Sequence, residues 1–296
     1  MKQFAELLDR LAYTPSRNDK LRLLADYFAA TPDPDRGWAL AALTDGLFFR
    51  LPLRRILGEM IEARIDPVLF GLSRDYVGDT AETIALIWPG ADVSAHPPGL
   101  DDIVQELKRA MPSEVPGLLS NWLDGLDATE RWALLKLLTG ALRVGVSARL
   151  AKTALAEWSK VPLGEIEEVW HGLRPPYGEL FAWLSGGTRP DVGTTSIFRP
   201  LMLSHQIEDR ELASIEPKDF VAEWKWDGIR VQAGNQGGER RLFSRTGDDS
   251  SAAFPDVVAG LPPGVVLDGE LLVMRGSEVA PFNDLQQRLN RKTVTA

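Results

Sequence analysis

From the N-terminus to about Trp183, apolar residues recur at three- and four-residue spacing, as in Phe4-Leu7-Leu8-Leu11 and Ile103-Leu107. That is the period of one face of a helix. Breakers punctuate the pattern at Thr31-Pro32-Asp33-Pro34, Pro89-Gly90, His96-Pro97-Pro98-Gly99, Met111-Pro112 and Arg174-Pro175-Pro176-Tyr177-Gly178, where a helix must stop. No motif repeats at a solenoid period, so a helical bundle is predicted rather than a repeat array. After Ser185-Gly186-Gly187-Thr188-Arg189-Pro190 the period falls to two, predicting strands over Phe220–Trp226, Ile229–Ala233, Arg241–Ser244 and Val265–Val273. Gly234-Asn235-Gln236-Gly237-Gly238 reads as a hairpin loop, Leu261-Pro262-Pro263-Gly264 as the lead into the last strand, and Phe282 to about Arg291 as a closing helix. The chain is therefore expected to be multidomain: an all-α domain over 1–190, a linker at 191–198 within the passage 185–198, and over 199–296 the first part of an α+β domain.

Composition narrows the function. With 296 residues, 44% hydrophobic and 25% charged, the chain has ordinary globular proportions and room for one large domain or two smaller ones. Thirty-three basic residues against 42 acidic ones give a net charge of -9, so any nucleic-acid surface must be a local basic patch. The absence of cysteine removes disulfides, thiolate metal sites and thiol nucleophiles, and suits a reducing compartment. His96, His171 and His205 are scattered without ligand spacing and read as surface or turn residues. MKQFAELLDRLA is amphipathic and acidic where a signal peptide is basic and then apolar, and Gly37 to Phe49 is too short to span a bilayer. A cytoplasmic protein with no membrane partner is expected.

Three stretches carry chemistry. In Glu223-Trp224-Lys225-Trp226-Asp227-Gly228-Ile229-Arg230, strand alternation puts Glu223, Lys225 and Asp227 on one face and the two tryptophans on the other. A surface ion-pair row would look the same. In Arg240-Arg241-Leu242-Phe243-Ser244-Arg245, pairing of Ala233 with Glu239 would set Arg245 opposite Asp227, and a one-residue slip would reverse its face. In Val266-Leu267-Asp268-Gly269-Glu270-Leu271, two acids interrupt an apolar strand, so they either mark a turn or face a polar site that holds cations.

Taken in order, K-x-D-G-I-R, F-S-R and L-D-G-E-L resemble the covalent nucleotidyltransferases: ATP-dependent DNA ligases, RNA ligases and mRNA capping enzymes. Phe198-Arg199-Pro200-Leu201-Met202-Leu203 resembles the opening of the ligase adenylation domain, and Arg143-Val144-Gly145-Val146-Ser147 the helical DNA-binding domain before it. Bacterial ATP-dependent DNA ligases fit best. The resemblance implies Lys225 as the nucleophile that takes AMP from ATP and Asp227 as its orienting partner. It also implies Glu223 at the adenine, Arg230 and Arg245 at ribose and phosphate, and Glu270 at ribose or magnesium. A free lysine amine, with a pKa near ~10.4, attacks only once neutral, so such a site must favour the uncharged form.

Trp132 to Lys152 holds Lys136, Arg143, Arg149 and Lys152 and no acid, a patch of the sign that DNA requires. Gly145-Val146-Ser147 before the next helix offers backbone N–H groups to a phosphate. The expected DNA contacts are thus Lys136, Arg143, Ser147, Arg149 and Lys152, with nicked duplex DNA as partner and a monomer as the working form. The cations of Phe282 to Lys292 are a second, weaker candidate. The later family motifs and the OB-fold have no counterpart before Ala296, so the chain reads as a fragment cut inside its adenylation domain. A capping-type guanylyltransferase, an RNA ligase and a non-catalytic DNA-binding scaffold remain the alternatives.

Overall fold

The computed structural model describes residues 1–49, 51–89, 97–140, 142–192, 198–199, 201–202, 207–212, 214–289 and 294. His96, His205, Pro200, Leu203 and 290–293 lie outside these. The chain divides into two compact units, one of Met1–Leu163 with Leu173–Pro190, the other of Gly164–Gly172 with Asp191–Ala296.

The first unit is helical. Its elements are α1 (Lys2–Tyr13), α2 (Arg17–Ala30), α3 (Asp35–Leu43), α4 (Leu53–Arg64), α5 (Pro67–Val77), α6 (Thr80–Ile87), α7 (Leu100–Arg109), α8 (Val115–Gly125), α9 (Ala128–Thr139) and α10 (Ala148–Ser159). Leu163–Trp170 (α11) falls mostly to the other unit, and Gly178–Leu184 (α12) completes this one. Side chains that satisfy the first orphan N–H groups start several helices: Ser16 accepts from Asp19 N, Asp79 from Glu82 N, and Ser147 from Leu150 N. Asp127 and Glu130 form a reciprocal capping box on α9. The expected stripe on α1 is buried at Phe4, Leu7, Leu8 and Leu11, and α1 packs on α9 while α2 packs on α10. Because α6 also covers α9, that helix is buried almost all round, from Glu130 to Leu138 except Trp132.

The second unit holds Asp209–Leu212 (α13), β1 (Ile229–Gln236), β2 (Glu239–Ser244), Pro255–Gly260 (α14), β3 (Val265–Leu271), a two-residue pair β4 (Met274–Arg275) and β5 (Glu278–Val279), and α15 (Phe282–Leu289). The three-stranded sheet runs β2-β1-β3, antiparallel throughout. One face gives Val231, Ala233 and Leu242 to a core closed by Phe254, Leu261 and Leu285. The other carries Arg230 and Gln232 from β1, Phe243 from β2, and Asp268 and Glu270 from β3, since opposed residues share a face. Phe243 is covered there by His171, at 4.6 Å between ring centroids, and by Phe198 at 5.9 Å.

Two expectations are corrected. Phe220–Trp226 is not a strand: the segment makes no ladder, and Trp224 and Trp226 are exposed rather than buried behind the lysine. Alternation marks a chain able to lie in a sheet, but a strand also needs a partner, and β2 and β3 end at the level of Val231 and Ile229. The hairpin register also differs, because Ala233 pairs with Leu242 and not Glu239. Gly237 (φ 59) and Gly238 (φ 82) both take positive φ and close a two-residue turn. Asn235, assigned to the loop by its polarity, is instead buried in the ladder, where its Nδ2 donates to Leu261 O at 2.8 Å.

Candidate functional site

In the second unit the candidate chemistry gathers where β1 begins and β3 ends. Glycine at 228 is required there: a Cβ would lie 2.4 Å from Leu271 O, 2.7 Å from Leu272 Cδ2 and 2.9 Å from Glu270 Cγ. Asp227 directly precedes this close approach, and Glu223 and Lys225 are exposed on the same segment. Arg230 stands opposite Glu270 in register but reaches diagonally to Asp268, Nε to Oδ1 at 2.7 Å and Nη2 to Oδ2 at 2.9 Å. That bidentate bond raises the pKa of the Arg230 guanidinium above its usual value; desolvation opposes it, and the charges of Asp268, Glu270 and Glu223 add to it. Glu223 and Glu270 are therefore both within electrostatic reach of Arg230.

Asp268 and Glu270 lie inside β3, so of the two sequence alternatives the face holding a cation is the one observed. Arg245 follows β2 at the tip of a tight turn in which Ser244 N donates to Asp248 O (2.8 Å) and Gly247 N to Ser244 O (2.9 Å). It is exposed and makes no hydrogen bond or ion pair among the described residues. Val231 pairs with Ser244, so the register continued by one residue sets Arg245 beside Arg230 rather than Asp227. Both arginines thus take the register positions of the face that carries Glu270. Phe198-Arg199 lies along this face too, where Gln232 clamps the Arg199 backbone from both sides: Arg199 N to Oε1 at 2.6 Å and Nε2 to Arg199 O at 3.1 Å. Asp268 as the partner of Arg230, and Gln232 as this clamp, were not singled out from the sequence. The paired polar residues at alternate positions of 230–232 and 268–270 were the available signal.

Among the described residues no three His, Asp or Glu side chains gather as a metal cage. Magnesium is commonly held by one or two carboxylates together with nucleotide phosphates, and Glu270, whose carboxylate makes no hydrogen bond among the described residues, fits that donor set.

In the first unit the basic run splits in two. Arg143 and Arg149 are exposed, and Ser147 caps α10 between them. Lys136 and Lys152 do not share that surface, being 8% and 5% exposed. The Lys136 ammonium is committed to Asp79 at 2.6 Å. Burial by itself would raise the Asp79 carboxyl, but the hydrogen bonds from Lys136 and the backbone of Glu82 and Ala81, with the lysine charge, hold it below its ordinary value. Packing explains the outcome, since Lys136 lies on the buried α9 and Lys152 on α10, which packs on α2, and the sequence showed the sign of each residue and not its side of the helix. In the second candidate stretch, Arg288 pairs with Asp256 and donates to Ala253 O at 2.9 Å, which ties α15 to α14. Arg291 and Lys292 lie outside the described residues.

Residues 201–296 match the family model described as ATP dependent DNA ligase domain. A probable DNA ligase of Koribacter versatilis is 26% identical over 315 residues, covering 100% of this chain and 54% of that protein. DNA ligase 1 of Korarchaeum cryptofilum is 29% identical, covering 99% of this chain and 57% of its own length. A probable DNA ligase of Anaeromyxobacter sp. (strain Fw109-5) is 31% identical, covering 98% and 55%. The chain spans about half the length of these curated relatives. No described helix is long and apolar enough to cross a membrane. The chain is similar to DNA ligases along nearly its whole length, and its residues 201–296 match the ATP dependent DNA ligase domain.

Proposed function

We propose that this chain is the helical DNA-binding region and the opening of the adenylation domain of a cytoplasmic, monomeric ATP-dependent DNA ligase. The observation that carries this reading is the pairing of β1 with β3, which sets Arg230 opposite Glu270 with Glu223 in its electrostatic reach, while the exposed Lys225 lies three residues before Gly228, whose backbone approaches Leu271. Lys225 Nζ, once neutral, attacks the α-phosphorus of ATP; the N–P bond forms as the bond to pyrophosphate breaks, and lysyl-AMP remains. The AMP then passes to the 5′-phosphate at a nick, and the 3′-hydroxyl displaces it to seal the strand.

Each residue has a task of positioning or charge neutralisation, which is most of what phosphoryl-group chemistry asks of a protein. Arg230, fixed by Asp268, and Arg245, exposed at its turn, meet ribose and phosphate. Glu223 receives the adenine, and Asp227 orients Lys225. Magnesium bound through Glu270 would neutralise phosphate charge. In the helical unit Arg143, Ser147 and Arg149 contact the DNA backbone without reading bases. Exposure of the lysine segment to solvent does not by itself favour a capping enzyme or an RNA ligase. The helical unit ahead of it supports the DNA ligase reading over both.

The test uses the complete gene product with α-labelled ATP and magnesium. Label should stay on the protein in an acid-labile bond and disappear in Lys225→Ala. Normal labelling of that variant, or labelling by GTP in preference to ATP, would overturn the assignment.

A further inference from the structure

A buried lysine in the helical unit has no place in the reading so far. Lys20, on α2, is 8% exposed, and its Nζ donates to Val144 O at 2.5 Å and Gly145 O at 3.2 Å. It makes no ion pair among the described residues, so two main-chain carbonyls are what satisfy its charge there. These carbonyls belong to the turn between Arg143 and Ser147, whose backbone is unusual at two points: Arg143 has φ 44 and Gly145 φ 66. The fit to the lysine is close, since a Cβ on Gly145 would lie 2.4 Å from Lys20 Nζ.

Peptide planarity turns this contact into a statement about the outer side of the turn. In a trans peptide the C=O and the following N–H point in opposite directions, and the cis bonds of the chain lie elsewhere, at Asp33-Pro34 and Pro175-Pro176. With the carbonyls of Val144 and Gly145 drawn inward onto Lys20, the N–H groups of Gly145 and Val146 face outward. Neither donates a hydrogen bond among the described residues, and Gly145 is exposed. They lie between exposed Arg143 and the start of α10, beside exposed Arg149. Successive outward N–H groups of this kind form an anion-binding concavity.

We infer that Lys20 is a positioning residue for DNA: it never meets the phosphate, but holds the 143–147 turn so that the Gly145 and Val146 N–H groups donate to one. The inference rests on the proposed role of Arg143, Ser147 and Arg149 in DNA binding. The lost contacts in a Lys20 variant are uncharged donors, so affinity and salt dependence must separate. Removal of a cation that pairs with a phosphate flattens the slope of log K against log salt by about one, whereas removal of an N–H lowers the affinity at every salt concentration.

The 296-residue chain carrying Lys20→Met, Val146→Pro, both together, Arg143→Ala or Arg149→Ala is titrated into a short nicked duplex at several salt concentrations, with melting as the control for folding. Lys20→Met and Val146→Pro should each weaken binding roughly tenfold, the scale of a charge-assisted hydrogen bond, with slopes close to that of the parent. The double variant should bind no worse than the weaker single, because both changes remove the same contact. Parental affinity in Lys20→Met, a slope flattened by about one in that variant, or multiplicative losses in the double variant would each overturn the inference. If Lys20→Met does not fold, parental affinity in Val146→Pro overturns it alone. Weakened binding in Arg143→Ala and Arg149→Ala beside parental Lys20→Met sinks only this inference, whereas parental binding in both arginine variants sinks the DNA reading and this inference with it.

Discussion

Arg230 passes over the glutamate directly opposite it, Glu270, and grips Asp268 one pleat further along β3 with two hydrogen bonds of 2.7 and 2.9 Å. Diagonal neighbours on a sheet are ~7–8 Å apart, within reach of a long side chain. The fork fixes the guanidinium plane and leaves the Glu270 carboxylate without a hydrogen bond among the described residues, so one face presents an oriented cation and, directly across the strand pair, an available anion.

Asp268→Asn should therefore act on nucleotide binding more than on stability. Both partners are about 40% exposed, and pairs at that depth contribute roughly 0–1 kcal/mol. The expected result is a melting temperature near that of the parent and a raised KM for ATP in adenylation. Arg230→Lys should raise it further, because an ammonium keeps the charge but loses the fork.

Lys225→Arg should be as dead in lysyl-AMP formation as Lys225→Ala, since a guanidinium remains protonated and cannot attack phosphorus. Glu270→Ala and Arg245→Ala should both slow adenylation without loss of folding. A large fall in melting temperature with normal specific activity of the folded fraction would return those residues to a structural role.

Gly228→Ala tests the backbone approach that assembles the site. A Cβ 2.4 Å from the Leu271 carbonyl cannot be absorbed by a side-chain rotation, so β1 and β3 must part at the point from which the Lys225 segment leaves the sheet. Overpacking of this kind costs roughly 1–3 kcal/mol. Adenylation should fall at least tenfold even where the protein is still folded, a separation measurable by comparing labelling with melting in the same preparation.

The helices were legible because burial imposes a period: Phe4, Leu7, Leu8 and Leu11 face the core as their spacing requires. The three motifs were legible as motifs, and Gly228 shows why one of their glycines is obligatory. Three-dimensional partners were not. Nothing local says that Phe220–Trp226 lacks a neighbouring strand or that Lys136 points at Asp79, because both depend on residues far away in sequence. The hairpin is different: Gly237-Gly238 is a local two-residue turn signal, and reading 234–238 as a five-residue loop puts Arg245 opposite Asp227 instead of beside Arg230.

Lys136 is expected to behave as a structural residue. Asp79 caps α6 and is held by Lys136 with its pKa below the ordinary carboxylate value. A lowered folded-state pKa contributes stability that is present above the unfolded value near ~4 and lost as pH falls through the lower folded one. Asp79→Ala should cost about 1 kcal/mol through the cap and flatten the acid limb of the stability curve. Lys136→Met should lower the melting temperature at neutral pH with no change in the salt slope of DNA binding.

The exposed part of the basic run should behave in the opposite way. Arg143 and Arg149 are exposed on either side of the Ser147 cap, whereas Arg36, outside the run, stacks on Phe181 at 4.4 Å and pairs with Asp33, so its loss would disturb the core and it makes a poor control. Arg109, exposed at the end of α7, is the better control. Each true phosphate contact contributes about -0.9 to the slope of log K against log salt on duplex DNA. Arg143→Ala and Arg149→Ala should each weaken binding most at low salt and flatten the slope by about one, with little dependence on sequence, because phosphate contacts set register without reading bases. Arg109→Ala should leave both quantities unchanged. Parental affinity and slope in both patch variants, with the helical unit still folded, would make the run a solvated surface and place the DNA contacts of this unit on other residues.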